Sequence, residues 1–273
     1  MKKKYPIVLS IAGSDPSGGA GIQADIKTIS AIGAYAATAI TAVVDENTHS
    51  VSGIYPVPTD FVLGQIDSVI TDIGADAIKI GMLHSPELIR VLAKKIQTYG
   101  VKHIVLDPVM VATSGDSLMK EGLAEALKSD LLSLATIITP NIPEAEQLLQ
   151  RSILTKEDMY VAVRDLADQF STSVLLKSGH LQGDVLTDLF YNQESKSIEE
   201  LSSPRIDTKN THGTGCTLSS AIATYLALGN SLSESVSFAK EYIYQAIRLG
   251  ANYEIGKGNG PVNHFWQNNQ YEK

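Results

Sequence analysis

Apolar positions in this chain follow two alternating periods. Short aliphatic, β-branched runs predict strands at 7–12 ("IVLSIA"), 39–44 ("AITAVV"), 77–81 ("AIKIG"), 103–108 ("HIVLDP"), 135–139, 173–177 and 186–191. Helical periodicity falls between most of them, near 20–32, 59–72, 86–98, 119–133, 143–150 and 156–170. Continuous apolar runs suit strands covered on both faces, and helical crossovers suit parallel pairing. The pattern predicts an α/β domain with a mainly parallel sheet. The polar stretch 191–203 reads as a hairpin rather than a boundary, and two helices close the chain. Thr217 to about Leu228 forms one, with Leu218, Ile222, Tyr225 and Leu226 on a common face. Ser231 and Glu234 cap the other, whose inward face includes Val236, Ala239, Tyr242, Ile243 and Ile247. No repeat or linker interrupts the pattern, so one domain spans residues 1–273.

Composition narrows the function. A formal charge of −8 argues against a general nucleic-acid or anionic-membrane surface. The single cysteine, Cys216, cannot form an internal disulfide, which suits a reducing compartment. The opening "MKKKYPIVLSIAGSDP" resembles a signal peptide, but its apolar run is short and begins at Pro6, so it reads as a first strand. No run approaches the roughly 18 residues of a spanning helix. A soluble, cytoplasmic protein is expected.

In open α/β sheets, ligands bind beyond the carboxyl ends of the strands. Several polar or glycine-rich strings sit at such ends: "GSDPSGGAG" (13–21), "DENT" (45–48), "GMLHS" (81–85), "DPVM" (107–110) and "TPNIPEAE" (139–146). They are expected to share one edge. Gly213, Thr214, Gly215 and Cys216 open a helix, where free N–H groups and the dipole favour an anion. There a thiol is expected to have its pKa lowered, though the same string also suits a glycine corner with a small core thiol. "GSDPSGGAGIQAD" fits neither G-x-G-x-x-G nor a P-loop. Asp25 projects from the helix that follows, where it also complements the dipole. Asn141 and Glu144 have capping-box spacing, and Glu144 is also a candidate ligand for Mg²⁺ beside phosphates. Asp107 and Lys177 end strands, the first a candidate metal or phosphate-site residue, the second a candidate phosphate neutraliser. His180 and His212 lack metal-ligand spacing, and no H-E-x-x-H or Cys/His cluster points to zinc.

Together these strings, with "DAIKIGML", "LLKSGH", "NTHGTGCTLSSA" and "GKGNGPVNHFW", resemble the hydroxymethylpyrimidine/phosphomethylpyrimidine kinases of the ribokinase-like superfamily. The resemblance runs from residue 11 to 266. It implies a three-layer α/β/α fold, commonly a homodimer, and ATP-dependent phosphorylation of a pyrimidine hydroxymethyl group and then of the monophosphate. It places Cys216 where many relatives carry an aspartate base, and Gly213, Thr214 and Gly215 around the transferred phosphoryl. It puts Asp107, Asn141 and Glu144 near Mg²⁺ and the phosphates, with Lys177 beside them and Lys240 near the nucleotide. Gly13, Asp25, Met82 and Val109 would line the pyrimidine pocket. One position departs: Glu46 stands where the family usually has a pyrimidine-reading glutamine. An ionised glutamate only accepts hydrogen bonds, which suits a ring-protonated aminopyrimidine. A pyridoxal kinase on the same site and a catalytically silent binding protein are the competing readings. A Rossmann oxidoreductase lacks its fingerprint, and a cysteine hydrolase lacks a well-spaced base.

Overall fold

A computed structural model describes residues 4–110, 122–179 and 183–268. His180 and the first residues of the helix expected at 119–133 lie outside them. The strands are β1 (Ile7–Ser14), β2 (Tyr35–Glu46), β3 (Val51–Pro56), β4 (Ala77–Ile80), β5 (His103–Leu106), β6 (Ile137–Ile138), β7 (Ser173–Leu176), β8 (Val185–Asn192) and β9 (Ser197–Pro204). The helices are α1 (Gly21–Ile32), α2 (Thr59–Asp72), α3 (Pro86–Tyr99), α4 (Leu123–Ala126), α5 (Ile142–Leu149), α6 (Lys156–Phe170), α7 (Thr214–Ala227) and α8 (Leu232–Gly250).

One sheet runs in the order β3-β2-β1-β4-β5-β6-β7-β8-β9. From β2 through β7 the pairs are parallel, while β3, β8 and β9 join antiparallel. Side chains alternate between its faces, as a pleated strand requires. Leu9, Ile78, Ile80 and Leu106 enter one core with α2 through α6. Val8, Ala77, Val105 and Leu175 enter a second core with α1, α7 and α8. Helices therefore cover both faces, which is the expected three-layer α/β/α arrangement. The chain leaves β1 through α1 on one face to reach β2. It proceeds from β4 to β7 through helices on the other face. The reversal puts a crevice at the carboxyl ends of β1 and β4.

Several expected bounds change. The strand expected at 39–44 runs through all of β2, and β3 was not foreseen. Gly53 and Pro56 weaken the strand signal of β3, and its side chains are mostly exposed. Within the described residues of the helix expected at 119–133, α4 gives way to a π turn at Leu127–Leu131 and a 3-10 turn at Leu132–Leu134. The segment 191–203 does form a hairpin, between β8 and β9.

Candidate active site

A cavity of about 620 Å³ opens beyond the carboxyl ends of the strands. Its floor is the start of α7. Gly213 caps that helix with φ 77°, a left-handed conformation that costs glycine little. A Cβ there would fall on the Gly19 carbonyl oxygen, so the β1–α1 loop packs directly on this turn. Thr214, Gly215 and Cys216 form the first helical turn, whose N–H groups have no partner within the helix. A Cβ on Gly215 would lie 3.2 Å from Asp107 Oδ2 and 3.4 Å from Lys177 Nζ. An anion seated on the turn would therefore meet both side chains.

Lys177 Nζ donates to Asp107 Oδ1 at 3.0 Å and lies 4.0 Å from Glu144 Oε2. Burial works against the Lys177 charge, but Asp107 and Glu144 outweigh it and keep the ammonium above its ordinary range. Thr139 Oγ1 also donates to Asp107 Oδ1, at 2.9 Å. Asn141 and Glu144 complete a capping box on α5, with Asn141 N donating to Glu144 Oε2 at 2.7 Å and Glu144 N donating to Asn141 Oδ1 at 2.9 Å. An isolated parallel bridge between Asn141 and Lys177 continues the β6–β7 direction and holds the two residues side by side. Burial pushes the Glu144 carboxyl up to about 7, against the pull of Lys177. A buried carboxyl that lines the cavity near a second carboxylate suits a hard divalent cation, which takes oxygen ligands.

Sheet order divides the cavity. Gly13, Val44, Glu46, Met82 and Val109 line the end near β1, β2, β4 and β5. Leu186, Ile206, Ile243, Tyr244 and Ile247 line the end near β8, β9 and α8. Lys240 lies at the second end, where its Nζ donates to Asp188 Oδ2 at 2.6 Å. Asp188 also accepts from Ser178 N and Oγ, at 2.7 and 3.0 Å.

Two expectations are corrected. Asp25 does not line the cavity. It is fully buried beneath it, in an ion pair with Lys79 at 2.8 Å. The Cys216 pKa is raised rather than lowered: burial pushes it up to about 11, and the nearby Lys79 charge only partly compensates. Burial, with Asp25 and Asp107, outweighs the lowering by Lys79 and by the Gly21 N–H that points at the sulfur.

The structure also joins Asp15 to His212, a pair the spacing did not suggest. His212 Nε2 lies 2.9 Å from Asp15 Oδ2, and Glu46 Oε1 lies 4.0 Å from the same nitrogen. The ligand atoms of these three residues lie within 4.8 Å of one another. Asp15 Oδ2 already accepts from Ser17 Oγ, Gly19 N and Ala20 N as well as the imidazole, so it acts as a clip for the loop. Burial alone would raise the Asp15 pKa, but these donors hold it well below the carboxylate range. Burial likewise opposes charge on His212, yet Asp15 and Glu46 keep the imidazole pKa above its usual value.

A doubly wound sheet with helices on both faces, open over the α7 turn at the carboxyl ends of its strands, is the fold of the ribokinase-like kinases. Residues 15–263 match the phosphomethylpyrimidine kinase family, and the chain belongs to it. It is 44% identical over 258 residues to the hydroxymethylpyrimidine/phosphomethylpyrimidine kinase of Salmonella typhimurium, covering 94% of this chain and 96% of that one. It is 48% identical to a bifunctional thiamine biosynthesis protein of Geobacter sulfurreducens, of which it spans about half, 52%. Among solved structures, an ADP complex of Bacillus subtilis pyridoxal kinase has a TM-score of 0.88 at 36% identity, covering 97% of this chain and 99% of that one. A phosphomethylpyrimidine kinase of Clostridium difficile has a TM-score of 0.78 at 41% identity, covering 88% of this chain and 99% of that one. The chain is therefore a phosphotransferase. No helix among the described residues is long and apolar enough to cross a membrane.

Proposed function

We propose that this kinase uses ATP and Mg²⁺ to phosphorylate 4-amino-5-hydroxymethyl-2-methylpyrimidine, and then phosphorylates the monophosphate. The observation that carries this reading is the α7 turn, set between a compartment where Glu46 stands beside His212 and Asp15 and a second compartment reached by Lys240. The first end takes the pyrimidine, against Gly13, Met82 and Val109. The second takes the nucleotide, with its base against Ile206, Ile243 and Ile247. The γ-phosphoryl then lies over Gly213, Thr214 and Gly215.

Phosphoryl transfer needs in-line positioning and charge neutralisation more than covalent chemistry. The turn's N–H groups and Lys177 meet charge developing on the transferred group, and one preorganised donor of this kind is worth about 10²–10³ in rate. Glu144 would hold Mg²⁺, with Asp107 and Asn141 at the phosphates. Bound there, the cation neutralises phosphate charge. Cys216 faces the acceptor hydroxyl. With its pKa near 11 the thiol is protonated at neutral pH, so its first role is to position that hydroxyl. Unchanged kcat across pH in Cys216→Ser would exclude an essential thiolate. The protein would work in the cytoplasm as a homodimer, for which exposed Val43, Ile54, Tyr55 and Phe61 around β2, β3 and α2 offer an apolar surface.

Pyridoxal phosphorylation is the second reading, favoured by the high TM-score to a pyridoxal kinase. ADP release with Mg²⁺-ATP separates the readings when hydroxymethylpyrimidine, its monophosphate and pyridoxal are offered singly. Turnover of the first two with little of the third is expected. Preference for pyridoxal would overturn the pyrimidine assignment, and silence with all three would favour a binding protein.

A further inference from the structure

The ion pair beneath the cavity has no part in the function proposed above. Lys79 on β4 and Asp25 on α1 are both fully buried, and Lys79 Nζ lies 2.8 Å from each carboxylate oxygen. Asp25 also accepts from Ser10 Oγ of β1 at 2.5 Å and Ser220 Oγ of α7 at 2.7 Å. Four elements thus converge on one carboxylate. Replacing such a buried pair with apolar side chains is often neutral or stabilising, so fold stability alone does not account for it.

Its location suggests a different role. Ser220 follows Cys216 by one helical turn, which puts both on the same face of α7. A Cβ on Gly81 would lie 2.9 Å from Lys79 Nζ and 3.1 Å from Ala12 Cβ. The ammonium therefore reaches the tips of β1 and β4, where Ala12 and Met82 line the cavity floor beside Cys216. The charged groups acting on the sulfur are Lys79 from β4, Asp25 from α1, Asp107 after β5 and Lys177 after β7, while the Gly21 N–H points at it. Of the two cations, Lys177 is engaged by Asp107 and Glu144. Lys79 is held from below, where a substrate in the cavity would not displace it.

We propose that Lys79 is a positioning residue acting through Cys216: its ammonium, fixed by Asp25 beneath the cavity floor, sets the charge environment of the thiol that positions the acceptor hydroxyl. The inference rests on the reading of Cys216 as the residue beside that group. Its sign is specific. Removing the cation makes the thiol harder to ionise, and removing the anion makes it easier.

Cys216 is the chain's single cysteine, so iodoacetamide alkylation of the full-length protein reports one thiol without substrate. The rate would be followed against pH for wild type, Lys79→Met, Asp25→Asn and the double variant, with circular dichroism as a check on folding. At a fixed pH below the midpoint, Lys79→Met is expected to react about tenfold more slowly and Asp25→Asn faster, with the double variant near wild type. Coincident profiles, or both single variants moving the same way, would overturn the proposal. If Lys79→Met does not fold, Asp25→Asn decides: faster alkylation supports the proposal, and an unchanged or slower rate overturns it. The kinase assay on wild type is independent, so failure of the substrate reading would leave these profiles as they are.

Discussion

His212 and Asp15 meet across 197 residues of sequence, with Nε2 2.9 Å from Oδ2, and tie the turn before α7 to the loop after β1. This contact brings the two glycine-rich strings together into one site. Its pH dependence follows from the two shifts. The folded Asp15 pKa lies below the ordinary 3.8, so its contribution is present above pH 3.8 and is lost as pH falls through the folded value. The folded His212 pKa lies above the ordinary 6.5, so its contribution is full below pH 6.5 and is lost as pH rises through the folded value. The pair stabilises most between these limits. His212→Gln keeps an N–H donor but loses the charge, and is expected to cost about 2 kcal/mol in that window. Thermal melts across pH should show the gap to wild type closing as pH rises beyond 6.5. A gap independent of pH would sink this account.

Glu46 faces the same imidazole, at 4.0 Å, from the end of the cavity proposed to take the pyrimidine. As a carboxylate it accepts from an exocyclic amino group and from a protonated ring nitrogen, a charge-assisted bidentate contact. Wild type is expected to bind the pyrimidine more tightly as the ring becomes protonated, and Glu46→Gln to lose that dependence. KM measured against pH for both proteins checks this. Coincident profiles would mean that the protonated pair does not form.

The sequence carried the local features and missed those built across long separations. Continuous apolar runs marked the strands of both cores, and capping boxes marked α5 and α8. The partner of Asp25 lies 54 residues away on a strand whose apolar run gave no reason to single out Lys79. Asp15 and His212 likewise carry no shared local pattern. The start of α7 was legible in its glycine turn, but the thiol's pKa depends on burial, which a single string does not report. The fold class was legible because alternation repeats along the whole chain, whereas a buried ion pair occurs once.

Gly213 tests how tightly the two loops must meet. Its positive φ and the Gly19 carbonyl behind it leave no room for a methyl group. Gly213→Ala is expected to push the β1–α1 loop away from α7, costing about 1–3 kcal/mol for the strained backbone and more than tenfold in kcat. Gly229→Ala offers a control: it also has positive φ, but nothing lies near its Cβ position. Melting temperature and kcat are measured for both. If the two variants lose stability and activity equally, packing on Gly19 is not the cause.

Glu144 places function and stability in opposition. Burial raises its folded pKa to about 7 from an ordinary 4.5, with Asp107 adding to the rise and Lys177 opposing it. A carboxyl raised in this way stabilises the fold below pH 4.5, and that benefit is lost as pH climbs through 7. Glu144→Gln stays neutral and keeps an oxygen to accept from Asn141 N, so the α5 cap persists. It should match wild type near pH 4 and melt higher above pH 7, by at most about 2–3 kcal/mol. The same change removes the ligand proposed for Mg²⁺. In wild type the Mg²⁺ concentration for half-maximal activity should fall about tenfold per pH unit up to 7, because the cation needs the deprotonated carboxylate. In Glu144→Gln it should be higher and lose that slope. Adding Mg²⁺ with nucleotide should also narrow the stability gap at pH 8, since a bound cation compensates the buried charge. A variant that is more stable at high pH yet keeps the wild-type Mg²⁺ profile would locate the cation elsewhere.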